Sequence, residues 1–158
     1  MTPANTETEH KMIQMPAGIT ANAQAFDGVV WNLLGQTYTL KQHSADLMVW
    51  HAVFPDGTFV PPHVHHKQDE FLYVLSGRYD IWLDGKDMVA KPGDLVRLPR
   101  GVPHAFANRS GGTSTSMFWV APTRDLKMLF DRINNMKDPE EMVRIASQTE
   151  VNFVPPPA

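Results

Sequence analysis

Apolar and polar residues alternate along the middle of the chain, from about residue 28 to residue 122. Between Gly77 and Gly85 every second residue is apolar, which is the period of a strand with one buried face. Turn signals divide this region roughly every eight to twelve residues. One of them, Asp84-Gly85, suits a tight hairpin, because both central residues of a type I′ turn need a positive φ. The pattern predicts an all-β sandwich or barrel and disfavours a βαβ arrangement.

Helical periodicity replaces this alternation towards the end of the chain. Apolar residues at the spacing i, i+3, i+4 and i+7 predict one buried helix face, formed by Leu126, Leu129, Phe130 and Ile133. A second helix is predicted to start at 138–141, where Asp138 caps, Pro139 occupies the first turn and Glu141 completes a capping box. The proline-rich tail from Val151 cannot be helical. We expect the two helices to cover the barrel or one of its openings; a helical dimer contact is the alternative.

Three segments follow from these patterns. Residues 1–27 are rich in Ala, Thr, Asn and Gln with weak periodicity, and we interpret them as an extended arm. Residues 28–122 form the predicted barrel, and residues 123–158 form helices and a tail that pack on it. A chain of 158 residues with 42% hydrophobic content can bury one core but is short for two domains.

Charge and composition exclude several classes of partner and site. The net charge of −3 comes from residues of both signs scattered along the chain, without a long basic run, so nucleic acid and membrane partners are not expected. No helix-turn-helix segment accompanies the barrel, which disfavours a transcription regulator. The chain has no cysteine, so a bound metal would need nitrogen and oxygen ligands. No signal peptide or apolar membrane span is evident, and we predict a cytoplasmic protein.

Candidate metal ligands are concentrated in the predicted barrel. Strand alternation sends His63 and His65 to the same face, so their imidazoles can converge on one ion. Glu70 follows at the head of an apolar strand, with Asp69 as the competing carboxylate. His104 lies on what we expect to be a neighbouring strand. Any single histidine is more often a surface or core residue than a ligand. The assignment of these residues as metal ligands therefore depends on the spacing of all of them along the chain.

Other residues have plain structural interpretations. We expect His66 to point away from the site, and His51 either to line the cavity or to be a hydrogen-bonded core residue. Arg97 and Arg100 suit either an anionic substrate or a solvated surface. The large apolar residues form core or an apolar wall for a substrate, and these are Met48, Trp50, Phe59, Trp82, Phe106, Met117 and Trp119.

The spacings form two motifs that resemble those of the cupin superfamily. The first has Gly57, five residues, His63-Val64-His65, four residues, Glu70, six residues and Gly77. The second has Gly93, five residues, Pro99-Arg100-Gly101, two residues, His104, three residues and Asn108. The resemblance extends from about residue 29 to residue 120 and implies a single-domain cupin with an antiparallel β-barrel of jelly-roll type. The C-terminal helices and tail are similar to small cupins of the quercetin 2,3-dioxygenase-like kind.

The resemblance also implies a site and a function. In cupins, the residues aligned with His63, His65, Glu70 and His104 ligate one divalent metal ion. Ligand type does not choose among Fe, Mn, Ni, Co and Zn. The leading hypothesis is a dioxygenase that acts with dioxygen on a small aromatic or enolisable substrate, with Glu70 as a catalytic base.

Two further hypotheses remain open. One is a non-redox isomerase, cyclase, decarboxylase or lyase, and the other is a module that binds a metal or small ligand without catalysis. The complete ligand set favours an enzyme. Because small cupins pair through their sheets, we also expect a homodimer.

Overall fold

A computed structural model describes residues 14–155 of the chain. Residues 1–13 of the predicted arm and the last three residues lie outside this range. Neither helix in the described range combines the length and the apolar composition needed to cross a membrane.

Eleven strands form two antiparallel sheets in the described residues. In chain order they are β1 (Val30–Leu33), β2 (Gln36–His43), β3 (Met48–Phe54), β4 (Phe59–His65), β5 (Asp69–Ser76), β6 (Tyr79–Leu83), β7 (Lys86–Ala90), β8 (Leu95–Leu98), β9 (His104–Ala107), β10 (Ser114–Ala121) and β11 (Val151–Phe153). The larger sheet has the order β1-β2-β3-β10-β5-β8, and the smaller sheet has the order β11-β4-β9-β6-β7. This arrangement confirms the predicted all-β jelly roll.

Local sequence signals account well for the β6–β7 hairpin. Asp84 and Gly85 have φ values of 49° and 79°, both positive as a type I′ turn requires. The turn places Leu83 opposite Lys86 at the end of the hairpin. On β6 the side chains of Tyr79 and Ile81 are buried, as the alternation predicts.

The core lies between the two sheets. On β5, Glu70, Leu72 and Val74 face inward. Tyr73 and Leu75, which alternate with them, are exposed. On β3, the buried positions alternate in the same way from Met48 to Phe54. The two-residue period therefore sets which side chains enter the barrel.

Two helices follow the last strand of the predicted barrel segment: α1 (Leu126–Ile133) and α2 (Pro139–Ala146). The four apolar residues predicted to share a face of α1 are all buried. The Asp138 side chain accepts hydrogen bonds from the amides of Glu140 and Glu141, which confirms the cap. The Glu141 carboxylate accepts from Arg144 instead of completing the predicted capping box.

Strand β11 was not predicted. The tail is not helical, as expected, but residues 151–153 pair with β4, with Val151 opposite His65 and Phe153 opposite His63. The segment after residue 122 thus contributes a strand to the smaller sheet, and the division of the chain at residue 122 stays a prediction.

The described part of the N-terminal arm forms hydrogen bonds with the larger sheet. Lys41 on β2 donates hydrogen bonds to the carbonyl oxygens of Ala21, Asn22 and Gln24. Thr20 donates from its hydroxyl to the carbonyl of Lys41 at 2.8 Å. Residues 20–24 therefore lie beside β2.

Candidate metal centre

The four predicted ligands come from three strands on two facing sheets. His63 and His65 lie on β4, and His104 at the start of β9 pairs directly with His63. Glu70 lies on β5, which belongs to the other sheet. All four residues are buried. One sheet thus supplies three imidazoles and the other supplies the carboxylate.

The four side chains converge on one point. Each offers one nitrogen or oxygen atom, and these four atoms all lie within 4.8 Å of one another. Nε2 of His104 is 2.9 Å from Oε2 of Glu70, and Nε2 of His65 is 3.2 Å from the same oxygen. The structure therefore brings together the quartet that the spacing predicted.

Hydrogen bonds fix the outer nitrogen of two of the imidazoles. Nδ1 of His63 lies 2.8 Å from the carbonyl oxygen of Pro61, and Nδ1 of His104 lies 3.1 Å from that of Val102. Since a carbonyl oxygen only accepts, both Nδ1 atoms carry the proton. In the neutral form of each ring, Nε2 then carries the lone pair and can bind a metal ion.

Gln68 orients the third imidazole and was missed by the sequence analysis. Nδ1 of His65 is 2.7 Å from Oε1 of the buried Gln68. The Gln68 amide nitrogen donates to the carbonyl oxygens of Pro122 and Thr123 at 3.0 and 2.9 Å, which settles which end of the amide faces His65. The local sequence indicates only a short polar connection at this position.

The buried carboxylate of Glu70 attracts positive charge to the centre of the cluster. Burial would raise the pKa of Glu70, but the charge of His65 and hydrogen bonds from His104 and His65 outweigh it and hold this pKa well below its ordinary value. Burial lowers the pKa of His65, yet attraction to Glu70 raises it overall. For His63, burial and the neighbouring imidazoles lower the pKa well below 6.5. Without an ion in the cluster, a positively charged His65 therefore keeps the carboxylate ionised.

The chemistry of the donors fits a divalent transition-metal ion. Two imidazole lone pairs and a carboxylate oxygen at 2.9–3.2 Å repel one another unless a proton or a cation lies between them. Three neutral imidazoles and one carboxylate suit Fe, Mn, Ni, Co or Zn. The cluster is compatible with a metal site and does not select the metal.

A cavity of about 60 Å³ adjoins the cluster. His63, His65 and Glu70 form its polar end, and aliphatic and aromatic side chains, among them Tyr38, form the rest of its wall. Both helices contribute to this wall, through residues that include Phe130 and Met142. The apolar faces of both helices therefore line the cavity beside the cluster.

The neighbouring His66 and Asp69 lie outside the cluster. His66 is exposed and its Nε2 lies 3.0 Å from Oδ1 of Asn152, so it points away from the site as expected. Asp69 accepts hydrogen bonds from the backbone amide and the guanidinium of Arg100 at 3.0–3.2 Å. These bonds with Arg100 lower the pKa of Asp69. Of the two competing carboxylates, only Glu70 joins the histidines.

The prediction for His51 was wrong on both alternatives. It is half-buried on the outer face of β3, between the outward-facing Val49 and Val53, and lines neither the cavity nor the core. Of the large apolar candidates, Met48, Trp50 and Phe106 are buried, Trp82, Met117 and Trp119 are half-buried, and Phe59 is exposed. Trp50 and Phe106 belong to the cavity wall, and Arg97 is exposed at the surface.

Comparison with known proteins agrees with this geometry. Residues 50–121 match the family described as "Cupin domain". The chain is 29% identical over 96 residues to quercetin 2,3-dioxygenase of Bacillus subtilis, which covers 61% of this chain and 28% of that protein. It is 27% identical over 89 residues to the pectin degradation protein KdgF of Dickeya dadantii, covering 55% of this chain and 81% of that protein.

Solved structures show the same fold. KdgF from Halomonas sp. superposes with a TM-score of 0.62 at 24% identity, over 71% of this chain and 99% of that chain. An RmlC-like cupin from Shewanella frigidimarina superposes with a TM-score of 0.63 at 19% identity, over 73% and 99% of the two chains.

Proposed function

Because residues 50–121 of this chain match the cupin domain family, we propose that the protein is an enzyme that depends on a divalent metal ion held by His63, His65, Glu70 and His104. The convergence of four buried donor atoms within 4.8 Å carries this proposal. The fixed Nδ1 hydrogen bonds support it, because they present each Nε2 to the centre of the cluster.

The leading candidate reaction is that of a dioxygenase acting on a small enolisable or aromatic hydroxy compound. Both atoms of dioxygen would enter the substrate, so no separate reductant is needed. When bound, the ion would supply Lewis acidity and, if redox-active, a means of activating dioxygen. The similarity to quercetin 2,3-dioxygenase supports this candidate, although the match spans only 28% of that protein.

The residues of this chain have distinct roles in such a reaction. Glu70 accepts the proton of an enol or hydroxyl group that enters the cavity. Its lowered pKa keeps it ionised and therefore able to accept a proton. The apolar wall that Phe130 and Phe153 help to form excludes water from the reacting groups.

A non-redox enzyme is the second candidate. The match to the pectin degradation protein KdgF spans 81% of that protein, a far larger share than in the dioxygenase. The same site would then stabilise an enolate in an isomerase, cyclase, decarboxylase or lyase. A binding module without catalysis is the third candidate.

Metal analysis tests the site. Purified protein is expected to bind about one equivalent of a divalent metal, and His63→Ala and His104→Ala are expected to lose it, because each removes one of four ligands. His66→Ala is the matched control, since His66 is exposed and adjacent to the site. Metal content equal to wild type in the first two variants would refute the assignment.

Oxygen uptake separates the three candidates. Protein loaded with Fe, Mn, Ni or Co is mixed with catechols, flavonols and diketones in an oxygen electrode. Substrate-dependent uptake supports the dioxygenase, whereas product formation without uptake supports the non-redox enzyme. A ligand-induced rise in Tm without any turnover supports the binding module.

We also propose a homodimer that forms through the outer face of the larger sheet. Tyr73, Leu75 and Leu95 on this face are 39–44% exposed, and burial of such a patch stabilises association. Sedimentation equilibrium is expected to give about twice the 17.8 kDa of one chain. Leu75→Lys is expected to give monomers, while Val143→Lys on the exposed side of α2 is not. A monomeric wild type would contradict the proposal.

A further inference from the structure

Three residues in the wall of the cavity beside the cluster are half-buried, and these are Leu34, Val60 and Phe153. The other residues of this wall, all within 14–155, are buried. Solvent therefore reaches the wall mainly at these three side chains, and they mark the opening of the cavity.

The opening lies between the edges of the two sheets. Leu34 belongs to the turn that follows β1, the edge strand of the larger sheet, and Phe153 lies on β11, the edge strand of the smaller sheet. Val60 lies on β4, next to β11. The turn approaches the start of β4, since a Cβ on Gly35 would lie 3.2 Å from Cγ2 of Thr58. The side chains of all three half-buried residues pack against the hydrophobic core.

Phe153 lies beside one of the proposed metal ligands. It pairs with His63 across β4 and β11, and the centroids of the two rings are 6.1 Å apart. His63 and Glu70 belong to the same cavity wall as the three half-buried residues. A molecule that enters at this opening therefore arrives next to the candidate metal centre.

Leu34 has a backbone conformation that is unusual for leucine. Its φ is +54° and that of Gly35 is +82°, which are both positive as in a type I′ turn. The β6–β7 hairpin has the same kind of two-residue turn, with φ values of +49° at Asp84 and +79° at Gly85. This turn favours Asn, Asp or Gly at its first central position, so leucine there is strained.

The two turns differ in what the first central residue contacts. Asp84 is exposed and does not belong to the cavity wall, whereas Leu34 belongs to the wall and packs against the core. Strained residues are concentrated at sites that bind ligands. Asn or Gly would suit the turn better at position 34, but either would take an apolar side chain away from the opening.

We propose that Leu34 is a specificity-determining residue, whose side chain covers the opening and contacts the apolar part of a substrate. This inference rests on the proposed metal site. Leu34, Val60 and Phe153 are all apolar, whereas the cluster offers imidazoles and a carboxylate at the other end of the cavity. The substrate class is therefore one with oxygen atoms at the end that faces the ion and apolar groups at the end that faces Leu34.

Ligand entry into the cobalt-loaded protein tests this role. The absorption spectrum reports when a ligand reaches the ion, and stopped-flow mixing gives the association rates of azide, a small probe, and nitrocatechol, a larger one. Leu34→Gly suits the turn and removes the side chain. It is expected to speed nitrocatechol binding about ten-fold or more and to change azide binding less than about two-fold, because only the larger probe must displace Leu34.

Two further variants complete the test. Leu34→Ala keeps a non-glycine residue in the turn but shortens the side chain, and is expected to speed nitrocatechol binding in the same direction. Asp84→Gly is the matched control, because it changes the same turn position outside the cavity wall. It is expected to leave both rates within about two-fold of wild type. If Leu34→Gly does not fold, Leu34→Ala decides.

The contrary outcomes are separable. Equal nitrocatechol rates in wild type and Leu34→Gly overturn the role of Leu34. An equal gain for both probes, or a gain that Leu34→Ala lacks, assigns the effect to the backbone of the turn and overturns that role as well. Cobalt uptake without a spectral response to either probe in any variant overturns this inference alone. Failure of the wild type to take up cobalt overturns the proposed function.

Discussion

Gln68 offers no atom to the candidate ion, yet it holds one of the ligands in place. Its amide oxygen accepts from His65 Nδ1, and its amide nitrogen is anchored by the carbonyl oxygens of Pro122 and Thr123. The orientation of His65 therefore depends on the backbone that follows β10.

Replacement of Gln68 tests this dependence. Gln68→Leu removes the acceptor for His65 Nδ1, and loss of such a partner typically weakens metal binding about 10–100-fold. Zinc affinity, measured by competition with a chelator, is expected to fall by that factor. Gln148→Leu is the control, because Gln148 is exposed and accepts from Arg132. Equal zinc affinity in Gln68→Leu and wild type would show that His65 needs no such partner.

His51 makes the outer face of β3 sensitive to pH. Burial lowers its pKa below the ordinary 6.5, and the charge of Lys41 lowers it further. The unfolded chain therefore takes up the proton at a higher pH than the folded chain. The stability contributed by neutral His51 is complete above about pH 6.5 and is lost as the pH falls through the folded-state pKa.

An NMR titration measures this effect. The His51 ring signals are expected to titrate below 6.5, and Lys41→Gln is expected to raise the midpoint towards 6.5, because one of the two causes is removed. Lys86→Gln on the β6–β7 hairpin is the control. A His51 midpoint at or above 6.5 in the wild type would contradict the expectation.

At the scale of single residues, spacing along the chain predicted the four clustered side chains. It did not predict the residues that orient them through contacts distant in sequence. Gln68 meets Pro122 across 54 residues, and no local pattern records such a contact. His51 was misplaced because β3 carries apolar side chains on both faces. Its sequence therefore does not show which face is inside.

The predictable elements were those with local causes. The β6–β7 hairpin depends on two adjacent residues with positive φ, and α1 depends on a helical repeat within eight residues. Strand β11 has only three residues and exists because β4 lies beside it. Such a strand is set by tertiary contact and not by its own propensity.

The junction of β5 and β6 depends on close contact with β10. Gly77 has a φ of +77°, and a Cβ there would lie 2.7 Å from Cα of Ser114. Ser114 in turn hydrogen-bonds through its hydroxyl to the amide and carbonyl of Arg78. Glycine is needed at this position for both conformation and space.

Two alanine variants separate these requirements. Gly101 has the same φ of +77° with nothing within 4 Å of its would-be Cβ, so Gly101→Ala is expected to cost about 1–2 kcal/mol from conformation alone. Gly77→Ala adds steric overlap and is expected to cost about 3 kcal/mol or more. Urea denaturation measures both free energies of unfolding. If both variants lose the same free energy of unfolding, β10 moves to accommodate the added methyl group.

For the whole molecule, the candidate site joins the two sheets. Its imidazoles belong to the smaller sheet and its carboxylate to the larger one, so an ion bound there would link both halves of the barrel. Ligand that binds only the folded state stabilises it.

Removal of the metal is expected to lower the free energy of unfolding. Zinc at about 100 times its Kd should raise the free energy of unfolding by about 2.7 kcal/mol over the chelator-treated protein. Glu70→Gln should reduce this gain, because it weakens the one donor that the larger sheet offers to the ion among residues 14–155, while Asp69→Asn should not. Scanning calorimetry with and without zinc makes the comparison, and an unchanged Tm for the wild type would argue against a metal shared by the sheets.

The pairing of β11 with β4 also bears on how the chain reaches its native state. His66 and Asn152, at this junction, are 86 residues apart in sequence, so the contact closes a long loop and is expected to form late in folding. Until then the strand that carries His63 and His65 presents an unpaired edge. Such edges recruit other chains into aggregates, so conditions that detach residues 151–153 should promote aggregation through the same strand that carries two of the proposed metal ligands.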